Sequence, residues 1–172
     1  LMSIWNCLHY RYTGKNDLIT GFPVSGRDHS DLENQIGFYV NMLALRLKLN
    51  PDTSFDTFFE SVKSNVLEAF DHQVYPFDRL VEDLNLPRDT SRSVLFDVSM
   101  TLLNMGEDQS EMTIETKCQD EVVEIGDAVS KFDLDLTFRE VGGQIQFELE
   151  FNSDLYDKEF IRALMMNFRH LT

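Results

Sequence analysis

The stretch from residue 72 to residue 98 limits most strongly what this chain can fold into. It reads HQVYPFDRLVEDLNLPRDTSRSVLFDV. Pro76 lacks the N–H that a helix interior needs and moves the preceding Tyr75 out of the helical region, so one helix has to end here. A second, short helix is predicted between Pro76 and Pro87, and a buried strand is predicted to start near Val94. The apolar face of this short helix consists of Phe77, Leu80, Val81 and Leu84.

Periodic patterns on both sides of this stretch predict the other elements. Further helices are expected over residues 1–12, from Thr53 or Ser54 up to His72, and after Asp157, where the polar residues named can cap the helix N-termini. We expect the long central helix to bury Phe55, Phe58, Phe59, Val62, Val66, Leu67 and Phe70, and the last helix to bury Phe160, Ile161, Leu164, Met165 and Phe168. The strands predicted from alternation and short apolar runs cover 17–25, 39–49, 95–103, 132–138 and 145–151.

Composition and charge argue against several classes of function. Of the 172 residues, 42% are hydrophobic and 14 are phenylalanine, which suits one domain or one lobe of a larger one. The formal net charge of −15 repels phosphate backbones and anionic lipid, so we expect no nucleic-acid binding and no membrane binding. Cys7 and Cys118 lack CxxC spacing and a nearby histidine cluster, which predicts reduced thiols, a cytoplasmic location and no metal site. The first five residues read as the interior of a helix, so we expect the chain to begin within a longer protein.

Three long motifs occur in order along the chain. They are IGFYVNMLALR at 36–46, HQVYPFDRLVEDL at 72–84 and RDTSRSVLF at 88–96. These motifs closely resemble the patterns IGxFVNTLALR, HQxYPFExLVxxL and RDxSRxPLF of condensation domains in nonribosomal peptide synthetases. The resemblance extends over essentially the whole chain. It departs from the family at Met42, where threonine is usual, and at Val94, where proline is usual.

The resemblance implies a fold and a missing partner lobe. Condensation domains have two lobes, each similar to chloramphenicol acetyltransferase, so we expect an α/β (α+β) two-layer sandwich with a mixed β-sheet and packed helices. Family catalysis centres on an HHxxxDG motif in the first lobe. That motif begins at none of the chain's histidines, which are His9, His29, His72 and His170. Residues 1–172 therefore resemble the C-terminal lobe, which has no catalytic residue of its own and should be inactive alone. By position, residues 104–127 are the candidate for the segment that crosses to the first lobe.

The resemblance also implies a reaction and its partners. The parent domain joins a carrier-bound acyl or peptidyl thioester to a carrier-bound amino acid through an amide bond. Its partners are the N-terminal lobe, the upstream and downstream peptidyl carrier domains and the adjacent adenylation domain. Phosphopantetheine is carried by the carrier domains, and no cofactor is expected within this lobe. Two alternatives stay open: an ester-forming or cyclising member of the same superfamily, and a catalytically inert docking or scaffold domain.

Individual residues can be assigned to a substrate tunnel or to structural roles. The candidates for the tunnel wall are Asn41, Ser99, Asn104 and Arg27. For Asn41, a buried hydrogen bond that holds neighbouring backbone is an equal alternative, and for Arg27 the alternative is a salt bridge to a nearby carboxylate. The residues expected to be structural are His72, Tyr75, Pro76, Phe77, Arg88, Asp89 and Arg92.

Overall fold

The computed structural model describes residues 1–27, 29–86, 93–103 and 130–172. The helices in these residues are α1 Met2–Thr13, α2 Ser30–Glu33, α3 Phe55–Asp71, α4 Phe77–Leu84 and α5 Lys158–Leu171. The strands are β1 Asp17–Val24, β2 Asn41–Lys48, β3 Val98–Leu103, β4 Leu134–Val141 and β5 Gln144–Phe151. The predicted crossing segment, 104–127, lies outside the described residues.

The five strands form one mixed sheet in the order β2-β1-β3-β4-β5. β1 pairs with β3 and β3 with β4 in parallel, whereas the edge strands β2 and β5 run antiparallel to their neighbours. Thr20 lies opposite both Leu45 and Val98, so alternate residues of neighbouring strands face the same side. A mixed sheet with packed helices confirms the predicted fold class.

Helices α1, α3 and α5 pack on one face of the sheet, which we call the helix side. One apolar cluster joins α1 and α5 to β3 and β4, and its largest members are Trp5, Phe138 and Phe168. A second cluster joins α3 to β1 and β2 and includes Phe22, Leu45 and Phe58. Full burial of each such side chain stabilises the fold by about 1.5–3 kcal/mol. The leucines that alternate along β2 lie in this core as predicted.

Polar residues and glycine mark the helix ends as the sequence predicts. The Ser54 side chain accepts the N–H of Thr57 at the start of α3, and Asp157 accepts the N–H of Phe160 at 2.7 Å at the start of α5. Gly14 ends α1 in the left-handed conformation, with φ 70°. These local contacts satisfy backbone groups that a helix leaves without partners, and for this reason they are readable from sequence.

The predicted burial of α3 is wrong at several positions. Only Phe58 and Val62 are buried, whereas Phe55, Phe59, Leu67 and Phe70 are between 40% and 58% exposed. Within the described residues, α3 contacts chiefly the edge strand β2, which is too narrow to cover an apolar stripe of seven residues. The same reason explains why α4 has an apolar face but no buried residue.

Several predicted boundaries also differ from the structure, among them those of β4, which covers Leu134–Val141 instead of 132–138. α4 ends at Leu84 because Asn85 adopts φ 45°, before Pro87 is reached. β2 begins at Asn41 instead of residue 39, and β3 begins at Val98 instead of residue 95. In both cases an aromatic residue two positions before the strand packs against a glycine and is not paired in the ladder: Tyr39 packs against Gly37, and Phe96 packs against Gly21.

Gly21 in β1 makes room for Phe96 on the second face of the sheet, the face opposite the helix side. A Cβ atom at Gly21 would lie 2.0 Å from the Phe96 ring. Phe96 is 3% exposed, and its ring lies 5.6 Å from that of Phe77 and 5.5 Å from that of Phe132. The missing side chain of Gly21 thus allows an aromatic row to form that joins α4 to the segments before β3 and β4.

Gly21→Ala is expected to lower the free energy of unfolding by about 1–3 kcal/mol, because the added methyl group overpacks this contact. In a Phe96→Ala background the same change should cost little, since the ring is gone. Urea unfolding of the two single variants and the double variant measures this coupling. An equal cost of Gly21→Ala in both backgrounds would contradict the packing explanation.

Candidate functional site

The parallel strands β1, β3 and β4 end at the same edge of the sheet, which we call the carboxyl edge. The chain leaves β1 toward β2 on one side and leaves β3 toward β4 on the other. In open α/β sheets, ligands bind outside the carboxyl ends of strands whose connections diverge in this way. Arg27 follows the end of β1, and Asn41 lies opposite Val24 at the start of β2. The carboxyl edge is therefore the candidate functional site.

The side chain of Asn41 ties β2 to the connector between α3 and α4, residues 72–77. Its Nδ2 donates to the carbonyl oxygens of Gln73 at 2.9 Å and Tyr75 at 2.8 Å, and its Oδ1 accepts the N–H of Phe77 at 3.0 Å. Both amide protons are used. These contacts agree with the alternative predicted for Asn41, hydrogen bonds that hold neighbouring backbone. Its role in the tunnel wall stays a prediction.

The connector consists of two consecutive helix boundaries. The N–H of His72 donates to the carbonyl of Ala69 at 3.2 Å as α3 ends, and Pro76 is the N-cap of α4. The Tyr75 hydroxyl donates to Asp83 on α4, and this hydrogen bond is the main reason why the pKa of Tyr75 is raised. The described contacts of these motif residues thus join backbone segments and the adjoining helix.

Arg27 organises the loop between β1 and β2. Its guanidinium donates to the carbonyl oxygens of Leu32 and Gly37, the latter at 3.4 Å. Its Cζ also lies 4.5 Å from the centre of the Tyr39 ring, within the range of a cation–π contact. The contacts described for Arg27 are therefore with backbone carbonyls and a ring, which gives it a structural task at the carboxyl edge.

Ser99 lies on the second face of the sheet and hydrogen-bonds to Asp135. Ser99 is 2% exposed, and it pairs in register with Asp135, which in turn lies opposite Glu150. Burial raises the pKa of Asp135 and the nearby Glu150 adds to this, whereas the Ser99 hydroxyl and Lys131 act in the opposite direction. The Oδ1 atom of Asp135 is buried without a hydrogen-bond partner among the described residues. Asp135 thus lies in surroundings that favour its protonated form.

The structure brings two of the predicted tunnel residues to one edge and separates a third from them. Arg27 and Asn41 both lie at the carboxyl edge, whereas Ser99 is the second residue of β3, on the second face. No tunnel contact is described for any of the three. The remaining predicted residues lie outside the described part of the chain: Asn104, Arg88, Asp89 and Arg92.

Sequence reasoning missed Tyr39 and Asp135. Tyr39 read as the first residue of a strand, and the nearby Gly37 was the available sign of a close packing contact. Asp135 occupies a polar position in an alternating strand, which reads as solvent-facing. Its contact with Ser99 depends on the register between β3 and β4, which neither strand encodes alone.

A groove of about 490 Å³ lies elsewhere, between the end of α1, the turn after β2 and the start of α3. Its lining includes Cys7, Tyr10, Pro51 and Phe55 and none of the predicted tunnel residues. Over the described ranges, no group of three or more histidine, cysteine or acidic side chains is arranged to hold a metal ion. No helix within those ranges is long and apolar enough to cross a membrane.

The architecture matches solved structures of known proteins over almost the whole chain. A four-domain nonribosomal peptide synthetase superposes with a TM-score of 0.85 at 22% identity, over 99% of this chain and 14% of that one. The condensation domain of the monacolin K polyketide synthase superposes with a TM-score of 0.79 at 19% identity, over 99% of this chain and 39% of that one. These matches show that the fold is the chloramphenicol acetyltransferase-like fold of condensation domains.

Sequence comparison then defines the family. The condensation domain family model matches residues 1–172. Tyrocidine synthase 3 of Brevibacillus parabrevis is 41% identical over 168 residues, 98% of this chain, and gramicidin S synthase 2 of Brevibacillus brevis is 39% identical over 170 residues, 98% of this chain. This chain belongs to the condensation domain family. It spans only 2% and 4% of the length of those two relatives.

Asn41→Ala is expected to lower the free energy of unfolding by about 2 kcal/mol, because three hydrogen bonds to the connector are lost. Asn41→Asp should cost at least as much, since a carboxylate cannot donate to the carbonyls of Gln73 and Tyr75. Urea unfolding gives the stability, and hydrogen exchange at the Phe77 amide reports the connector. As a control, Asn152→Ala removes one bond within its own turn and should leave exchange at Phe77 unchanged. Unaltered stability and exchange in Asn41→Ala would refute the assignment.

The change in the free energy of unfolding that Asp135→Asn causes is expected to be more favourable at pH 7 than at pH 3. The folded chain holds the Asp135 proton more tightly than the unfolded chain, because the pKa is raised on folding. The contribution of Asp135 to stability is therefore fully present below its ordinary pKa and is lost as the pH rises through its folded pKa. Urea unfolding across this pH range, with Ser99→Ala as a second variant, measures the effect.

Ser99→Ala removes a hydrogen bond that lowers the Asp135 pKa, so it should make the loss of stability with rising pH larger. The same change in the Asp135→Asn background should leave the pH dependence unaltered. A difference between wild type and Asp135→Asn that is constant with pH would contradict the raised pKa.

Proposed function

We propose that this chain is the C-terminal lobe of a nonribosomal peptide synthetase condensation domain that forms amide bonds between carrier-bound substrates. The observation that carries the proposal is the match of the condensation domain family to all of residues 1–172. Two further facts agree with it: the curated relatives are peptide synthases, and the chain covers 39% of a single condensation domain. The chain also contains no HHxxxDG sequence, as expected for the lobe that lacks the catalytic histidine.

The reaction joins an amine to a thioester. The amine nitrogen of the acceptor attacks the thioester carbonyl carbon of the donor, a tetrahedral intermediate forms, and the C–S bond breaks as the amide forms. The amine proton passes to a base, and the leaving thiolate takes up a proton. In this proposal the base belongs to the N-terminal lobe. The present lobe forms one wall of the channel, where holding amine and carbonyl in a reactive orientation supplies much of the rate.

The carboxyl edge is the part of this lobe that we assign to the channel. Arg27 and Asn41 direct their side-chain hydrogen bonds to backbone groups on either side of the start of β2. They would therefore shape the wall through the backbone they fix. Ser99, held by Asp135, would lie deeper, and Asn104 would follow at the end of β3. Residues 104–127 would cross to the N-terminal lobe.

The partners follow from the same proposal. The upstream and downstream carrier domains bring the two substrates on phosphopantetheine arms, and an adenylation domain in the same synthetase loads a carrier. The net charge of −15 suits docking to basic protein surfaces and disfavours nucleic acid. The cytoplasmic location predicted from the spacing of the two cysteines belongs to this proposal as well.

Two proteins test the proposal: the 172-residue chain, and the longer native protein that the proposal implies, in which an N-terminal lobe would precede Leu1. Donor and acceptor carriers loaded with thioesters are incubated with each, and intact-protein mass spectrometry of the acceptor carrier detects the product. We expect an HHxxxDG motif and amide product with the longer protein, and no product with the chain alone. Replacing the second histidine of that motif with alanine should abolish the product.

Other outcomes identify the alternatives. An ester formed with a hydroxyl acceptor, or a cyclised product, would indicate the ester-forming or cyclising relatives. Binding of carriers without any product, together with a degenerate motif, would overturn the enzymatic proposal in favour of a docking domain.

A further inference from the structure

The loop between β1 and β2 turns one aromatic residue inward and two apolar residues outward. Tyr39 is half-buried and stacks on Arg27, whereas its neighbours Ile36 and Phe38 are 105% and 92% exposed. Exposure of this degree means that neither side chain contacts the rest of the described structure appreciably. Water contact with two large apolar side chains is unfavourable, so their position calls for an explanation.

Contacts within the loop hold Ile36 and Phe38 in this outward position. Gly26 adopts φ +63°, and a Cβ atom there would lie 2.0 Å from the carbonyl oxygen of Tyr39. A Cβ atom at Gly37 would lie 2.7 Å from the Tyr39 ring, and the Tyr39 hydroxyl donates to Gln35 at 2.9 Å. Together with the hydrogen bonds from Arg27 to two loop carbonyls, these contacts fix Tyr39 and leave the residues beside it pointing away.

Apolar residues next to this loop extend the exposed surface. Val40 is 49% exposed, and Val74 in the connector is 76% exposed. Asn41 holds the connector against the start of β2 through three hydrogen bonds, so Val74 lies on backbone fixed beside Val40. We call Ile36, Phe38, Val40 and Val74 the apolar rim. Clustered exposed apolar residues on a soluble protein usually mark an interaction site.

We propose that the apolar rim is the docking surface for the part of the condensation domain that lies outside this chain. The inference rests on the proposed function. The chain covers 39% of a matched single condensation domain, so under the proposed function the rest of the domain would contact this lobe. The rim lies at the carboxyl edge, where the proposed channel runs between the two bodies.

Charge defines the chemistry of the docking partner. The loop between β1 and β2, residues 25–40, contains three acidic residues, Asp28, Asp31 and Glu33, and one basic residue, Arg27. The complementary surface should therefore offer an apolar socket for Phe38 and Ile36 with basic side chains around it, since opposite charges at the border favour the correct orientation. In such a contact the two fully exposed side chains would be the anchors, and the border would contribute little.

Residue-resolved carbene footprinting of the longer native protein tests the docking directly. Phe59 on α3, which is 45% exposed, is the internal reference, and a urea-unfolded sample corrects for intrinsic reactivity. Without docking, Phe38 should be labelled more strongly than Phe59. With docking, Phe38 should be labelled several-fold less than Phe59, independently of protein concentration. Stronger labelling of Phe38 than of Phe59 overturns the proposal, and so does protection that appears only at high concentration, which indicates a second copy.

Variants of the longer protein test whether the contact matters for the reaction. Ile36→Ser with Phe38→Ser should reduce amide formation roughly tenfold or more, as loss of a buried anchor does, whereas Phe59→Ser serves as the exposed control and should have little effect. Arg27→Lys keeps the charge but loses the forked hydrogen bonds, so it should cause a smaller loss. Arg27→Lys should add nothing further in the double-serine background. An unchanged rate in the double-serine variant argues against the docking role.

The same measurements separate this inference from the proposed function. If the wild-type longer protein forms no amide and Phe38 is nevertheless protected, the proposed function fails and the docking surface stands. If the protein forms amide while Phe38 is fully labelled, the docking surface fails alone.

Discussion

The parallel pairing of β1 with β3 is the constraint on which the rest of this structure depends. Parallel neighbours cannot be joined by a tight turn, so the chain has to cross from one end of the sheet to the other between them. Here the crossing contains the loop after β1, the edge strand β2, helices α3 and α4 and the connector. It returns at Phe96, which packs over Gly21, one of the two β1 residues that pair with β3. All three family-like motifs, 36–46, 72–84 and 88–96, lie between the end of β1 and the start of β3.

Polar side chains, as well as apolar packing, hold the crossing in place. Asn41 fixes the connector to β2, and Arg27 fixes the preceding loop to the end of β1. Both residues satisfy backbone groups that regular structure leaves without partners, and a polar backbone group buried without a partner is costly. The backbone on both sides of the start of β2 is therefore fixed. This fixed backbone holds the residues of the apolar rim at the surface.

The two faces of the sheet have different roles. The helix side carries the apolar core, and its residues account for stability. The second face combines an aromatic row around Phe96 with the hydrogen-bonded pair of Ser99 and Asp135. The Asp135 carboxyl group is half-buried, and this burial is the main reason why its pKa is raised. This polar pair lies at the start of β3, whereas Arg27 and Asn41 lie at the carboxyl edge.

Local features of the sequence determined the order and type of the elements. Pro76, Gly14, Ser54 and Asp157 act on their own backbone or that of the next turn, so their effect can be read without knowing the fold. The motif letters likewise indicated the family, since they are a property of the chain alone.

Tertiary structure decided which apolar residues are buried and which polar residues meet. The apolar stripe of α3 suggested seven buried residues, but the edge strand beneath it covers only Phe58 and Val62. Asp135 meets Ser99 because β4 pairs with β3 in one particular register, and Tyr39 folds inward because Arg27 and two glycines surround it. Periodicity shows which face of an element is apolar and which is polar. The identity of the element opposite it depends on strand order and register, which involve residues far apart in the chain.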